Sequence, residues 1–102
     1  MAGSLGLFVS SDQHLDKIIG LCRAAQKKGV KVTAFFTHRG TLLTQDPLFE
    51  DLYDLAEIVL CKMAFEGHGL DKTSVPRIPE KGFATQAVHA EMIEDCDRCV
   101  VF

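Results

Sequence analysis

No stretch of this chain is apolar for long enough to span a membrane, and no basic patch with interleaved aromatics offers a surface for nucleic acid. The only basic cluster, Lys27, Lys28 and Lys31, falls where a helix is predicted to end, and there cations complement the helix dipole. The formal net charge of -3 argues in the same direction, so neither nucleic acid nor a membrane is an expected partner. Met1-Ala2-Gly3-Ser4 is too short and polar for a signal peptide, which makes the cytoplasm the expected address. In that compartment the four cysteines are expected as thiols, setting a disulfide scaffold aside. No helix carries a paired-histidine motif, and Cys96 and Cys99 lack the second close pair that a zinc site needs. Gly67-His68-Gly69 lacks the longer glycine pattern and Lys-Ser/Thr ending of a phosphate-binding loop. A metal site is therefore not expected. Repeats, linkers and low-complexity segments are absent too, leaving one domain over residues 1–102.

What is present is the balance of an ordinary globule, with 47% apolar and 25% charged residues in 102. Leu5–Val9 reads as a first strand. Ser10, Ser11 and Asp12 then offer capping oxygens to a helix over about 13–28 with an apolar stripe of Leu15, Ile18, Ile19, Cys22 and Ala25. Gly29 suits a left-handed helix end. Val30–Phe36 forms a second strand, followed by a loop, Thr37-His38-Arg39-Gly40-Thr41, and a short helix from Pro47 through Tyr53. A third strand covers Ala56–Cys61, and Lys62–Gly67 a second short helix. A short edge strand is expected around Ser74–Ile78, a last helix over about 85–94, and a closing strand from Arg98 to Phe102. That closing strand is apolar enough to be expected inside the sheet. Strands apolar on both faces and separated by helices indicate α/β architecture: a mostly parallel sheet of four or five strands, covered on both sides.

In such sheets the loops at the strands' C-terminal ends line the binding crevice. That edge collects Ser10, Ser11, Asp12, Thr37, His38, Arg39, Gly40, Cys61 and Lys62, with His68 nearby. Cys61 is the sharpest candidate. A strand delivers it to the first turn of a helix, where outward N–H groups favour a thiolate. Lys62 and Arg39 would add positive charge, and His38 could exchange a proton. The plainer reading makes Cys61 a small apolar residue at a strand end, as cysteines often are. Cys96-Asp97-Arg98-Cys99 invites a thiol–disulfide reading, but the pair follows a helix instead of opening one, and Cys99 is expected to point into the core or sheet. Asp46, Glu50, Asp51 and Asp54 read as the solvated side of the short helix.

The order and spacing of these motifs resemble the DsrE/DsrF/DsrH (TusD/TusC/TusB-type) family of small sulfur-relay proteins over nearly the whole chain. The resemblance rests on Leu7-Phe8-Val9-Ser10-Ser11, Lys28-Gly29-Val30, Ala34-Phe35-Phe36-Thr37-His38-Arg39-Gly40, Ile58-Val59-Leu60-Cys61, Phe65-Glu66-Gly67-His68-Gly69 and the ending from Asp95 to Phe102. It implies a three-layer α/β/α sandwich, assembled as trimers or hexamers. It further implies a thiol at Cys61 that accepts sulfane sulfur as a persulfide from a donor protein and passes it to an acceptor, with no cofactor. A Cys61 sulfur at least partly accessible to solvent, as in a cleft shared between subunits, together with largely buried Cys22 and Cys99, is what this reading expects. The competing readings are a noncatalytic ligand- or protein-binding subunit of the same fold, and a thiol–disulfide oxidoreductase using Cys96 and Cys99.

Overall fold

The computed structural model describes residues 3–78, 82–84 and 96–102. Five strands form one parallel sheet: β1 (Ser4–Val9), β2 (Lys31–Phe36), β3 (Glu57–Cys61), β4 (Phe83–Ala84) and β5 (Arg98–Val101), in the order β4-β3-β2-β1-β5. Four are strands of ordinary length. β4 contributes only the pairings Leu60↔Phe83 and Cys61↔Ala84. The helix expected over about 85–94 lies outside the described residues.

Period-two alternation splits the central strands between two apolar faces. Leu5, Leu7 and Val9 of β1, Val32, Ala34 and Phe36 of β2, and Leu60 of β3 join the main core. Phe35, Val59 and Cys61 form a second cluster on the other face, with Phe8, Ala64 and Cys96 packed against it. Helix α1 (Leu15–Lys27) covers the first face with Leu15, Ile18, Ile19, Cys22 and Ala25, the stripe its 3.6-residue period predicts. Each fully buried large side chain contributes about 1.5–3 kcal/mol, so this stripe outweighs any single polar contact on the surface. Gly29 ends the helix at φ 71, in the left-handed region that favours glycine. Helix α2 (Lys62–Gly67) adds Phe65 to the same core, its ring 5.2 Å from that of Phe83.

Between β2 and β3 the chain forms two 3-10 helices, His38–Gln45 and Pro47–Leu52. The first replaces the expected loop, because Thr41 Oγ1 donates to the His38 carbonyl at 2.9 Å and Thr44 Oγ1 to the Thr41 carbonyl at 2.8 Å. The second is capped by Asp46, whose carboxylate accepts from the Leu48 N–H at 3.0 Å. Its acidic side is tied down by arginines. Arg23 reaches Asp51 at 3.2 Å, and Arg77 reaches Glu50 at 3.3 Å and Asp54 at 3.5 Å while lying over the Tyr53 ring at 4.4 Å. Exposed pairs of this kind contribute well under about 1 kcal/mol each.

Three expectations need correction. The region 74–78 is not an edge strand. It follows a third 3-10 helix, Lys72–Ser74, closed by Asp71 accepting from Thr73 N–H at 2.9 Å, and it turns so that Val75 and Ile78 are buried. The Thr73 backbone N–H also holds the Asp71 carboxyl below its usual pKa. Second, β5 is an outer strand, with all four of its residues exposed. Third, Cys99 is exposed, not buried. Its neighbour across the ladder is Gly6, which has no side chain to cover it.

None of the four cysteines is joined in a disulfide, and Cys22 is the most deeply enclosed, at 0% exposure. Burial raises its pKa from 9.0 to about 11. Because the folded pKa is the higher one, the contribution is whole below pH 9 and is lost as pH rises through about 11. Thermal melts should therefore show stability falling across that window, with a shallower decline in Cys22→Ala. Native alkylation followed by peptide mass mapping should mark Cys99 quickly and leave Cys22 untouched.

Candidate functional site

Parallel pairing places the strands' C-terminal ends at one level. Val9 pairs with Phe36, and Phe36 with Leu60, so Ser10, Thr37 and Cys61 stand side by side at the rim. Phe102 joins them, since its carbonyl accepts from Ser10 N–H at 3.0 Å and from Ser10 Oγ at 3.3 Å. Of the anticipated residues, Ser10, Ser11, Asp12, Thr37, His38, Arg39, Gly40, Cys61 and Lys62 all lie at this edge. His68 does not stay there. It is the exposed C-cap of α2, carried roughly 9 Å down the helix from the rim.

The rim has two parts with different chemistry. The first lies at β1 and β5. Successive connections from β1 to β4 step toward one side of the sheet, whereas β5 lies on the other side of β1. The chain therefore diverges between β1 and β5, the switch point where doubly wound sheets hold ligands. Here Asp12 meets Arg39 at 3.7 Å, and the His14 ring lies 6.2 Å from that of Phe102. Ser11 Oγ accepts from Gln13 N–H at 3.2 Å. None of Ser10, Ser11 and Asp12 caps α1 as expected. The N-cap is His14, which makes no side-chain cap bond, while the three earlier side chains bind Phe102, Gln13 and Arg39 instead. His14 is the rim residue that sequence reasoning missed. Its position directly before the helix that follows β1 was the available signal.

The second part is Cys61, at the end of β3 and in the N-cap position of α2. Its thiol is not presented to solvent as expected. The residue is 5% exposed and sits in the cluster with Phe35 and Val59, against which Phe8, Ala64 and Cys96 pack. The Phe8 and Phe35 rings meet tilted, their centres 5.9 Å apart. Lys62 and Met63 beside it are exposed, Met63 at 85%. The Arg39 guanidinium, expected to hold an anionic sulfur, is shared with Asp12 on the β1 side of the rim.

Between the two parts runs the segment 37–41, which leans on β1. Thr37 N–H donates to the Val9 carbonyl at 2.8 Å, and a Cβ at Gly40 would stand 2.2 Å from that same oxygen. Glycine is required at 40 for this close approach. His38 holds φ 49, an unusual backbone conformation for a residue with a side chain. A fixed, slightly strained turn thus carries His38 and Arg39 above the sheet.

Three clefts lie at the opposite, N-terminal edge. One of about 360 Å³ is lined by Tyr53, Glu57, Ile58 and Arg77, and another of about 450 Å³ by Leu5, Leu21, Ala25 and Asp97. A third, of about 260 Å³, opens beside Val32 and Leu55. Among the described residues no group of three or more His, Cys, Asp and Glu is arranged to hold a metal ion, and no helix is long and apolar enough to cross a membrane. No protein-family model, curated protein or solved structure matches the chain.

Gly40→Ala should lower stability by about 1–3 kcal/mol in urea unfolding, because its methyl must displace backbone. Arg39→Ala, which removes an exposed ion pair, should change it by less than about 1 kcal/mol. Equal stability of Gly40→Ala and the parent would contradict the close approach at Val9.

Proposed function

We propose that this chain is a sulfur carrier of the DsrE/DsrF type, a three-layer α/β/α subunit in which Cys61 accepts sulfane sulfur and passes it to a protein partner. The observation that carries this reading is the position of Cys61, the last residue of a strand inside the parallel sheet, level with a rim of hydroxyl, imidazole and guanidinium groups. In the first step the Cys61 thiolate attacks the outer sulfur of a donor persulfide. A new S–S bond forms at Cys61 Sγ, the donor's S–S bond breaks, and the donor leaves as a thiolate. An acceptor cysteine repeats the exchange on the Cys61 persulfide. Both steps balance without oxidant or cofactor. Lys62, exposed and next in sequence to Cys61, supplies a cation for an anionic donor in this reading.

The shielding of Cys61 supports a second reading. A 5% exposed thiol among Phe35 and Val59 also suits a noncatalytic subunit, in which Cys61 packs and the Asp12–Arg39 rim recognises a ligand or protein. Under the carrier reading, docking of the donor must shift the groups over the sulfur before attack.

Intact-mass and peptide analysis after exposure to a low-molecular-weight persulfide separates the two. The experiment is done in a Cys96→Ser, Cys99→Ser background, because exposed Cys99 would otherwise react first. A carrier gains one sulfur atom at Cys61, at a rate that rises at least tenfold under sub-denaturing urea, and gains none in Cys61→Ser. No sulfur at Cys61 under any native condition rejects the carrier and leaves the binding subunit. In the parent chain, loss of two hydrogens joining Cys96 to Cys99 would instead indicate thiol–disulfide exchange.

A further inference from the structure

We infer that β5 is a self-pairing edge, through which two copies of this chain join antiparallel into one continuous sheet. The reasoning begins with the backbone. Phe102 N–H donates to the Phe8 carbonyl at 2.8 Å, and its own carbonyl accepts from Ser10 N–H. In a parallel ladder alternate residues bond the same neighbour, so Val100 also faces β1, while Cys99 and Val101 direct N–H and C=O away from it. Sheet edges are usually blunted by charge, proline or a bulge. β5 is short and opens on the charge of Arg98, but from Cys99 to Val101 it carries no charge, proline or bulge, and Val101 is 67% exposed.

A second copy is the occupant that fits. The outward groups of Cys99 and Val101 are self-complementary about a two-fold axis through Val100. Cys99 of one copy then exchanges two hydrogen bonds with Val101 of the other, and the two Val100 residues form the closely spaced, non-hydrogen-bonded pair between them. On one face the larger Val101 of one copy extends beside Cys99 and Gly6 of the other, the place where Gly6 leaves the sheet uncovered. Charge placement agrees. The two Arg98 side chains fall at opposite ends of the contact, each across from Phe102 of the other copy, so like charges never face each other. Head-to-tail growth onto the opposite edge is disfavoured, because β4 offers only two residues to pair with. The result is a closed dimer instead of a filament. With so short a strand the contact is small, and a dissociation constant on the order of 10–100 µM is expected.

Sedimentation equilibrium of the full chain should show this monomer–dimer equilibrium. Val101→Pro, which removes an outward N–H, should weaken it at least tenfold with an unchanged circular dichroism spectrum. Register is read by cross-linking in a Cys96→Ser, Cys99→Ser background. Val100→Cys should give a disulfide-linked dimer under mild oxidation, since the paired Cα atoms stand about 4.5 Å apart. Val101→Cys should not, although it is the more exposed position, 67% against 36%. A chain that stays monomeric to millimolar concentration, a dimer indifferent to Val101→Pro, or faster cross-linking through position 101 than 100 would each overturn the inference.

Discussion

Everything at the rim depends on the parallel pairing of β1 with β2, which runs unbroken from Ser4↔Lys31 to Val9↔Phe36. Parallel strands require a crossover between them, and the crossover must be amphipathic to return over the sheet. Helix α1 meets that demand with a five-residue stripe, and Gly29 lets the chain turn back into β2. The same pairing brings the C-terminal ends of the strands to one level. It is why Ser10, Thr37 and Cys61, far apart in sequence, become neighbours along an edge. The Val9 carbonyl then fixes the turn above it, accepting from Thr37 N–H and excluding any side chain at Gly40.

Strand order divides that edge chemically. The switch point lies between β1 and β5, while Cys61 ends β3, with β2 intervening. The polar groups of Asp12, His14 and Arg39 and the thiol of Cys61 are therefore neighbouring parts of one edge, separated by about two strand spacings of ~4.8 Å each. The strain at His38, φ 49, is consistent with a turn held for contact more than for stability.

Local features were legible in the sequence, and long-range ones were not. The buried stripe of α1, the bounds of α2 and the left-handed Gly29 follow from period and steric preference, which neighbouring residues decide. The 3-10 helix at His38–Gln45 was missed because two threonine hydroxyls close it onto carbonyls three residues back, a pattern that apolar periodicity does not register. The place of β5 was misjudged for a different reason. Its apolar composition suggested an interior strand, but interior or edge is decided by strand order, a property of the whole chain. The burial of Cys61 belongs to the same class, since Phe8 and Phe35 join its cluster from other strands.

The four cysteines show how a sheet sorts one side chain into several chemistries. Cys22 lies under α1 against the main core, where burial keeps it a thiol far above neutral pH. Cys99 stands in solvent beside a glycine, open to any reagent. Cys61 is between these extremes, at a strand end but packed among Phe35 and Val59. Reactivity toward a small reagent in bulk solution therefore ranks Cys99 first, and that ranking says little about function. A thiol meant to hand sulfur only to a docked partner gains selectivity from being closed to small oxidants, because oxidation follows access. Such a thiol must be judged by what opens it, and the groups over Cys61 matter as much as the sulfur itself.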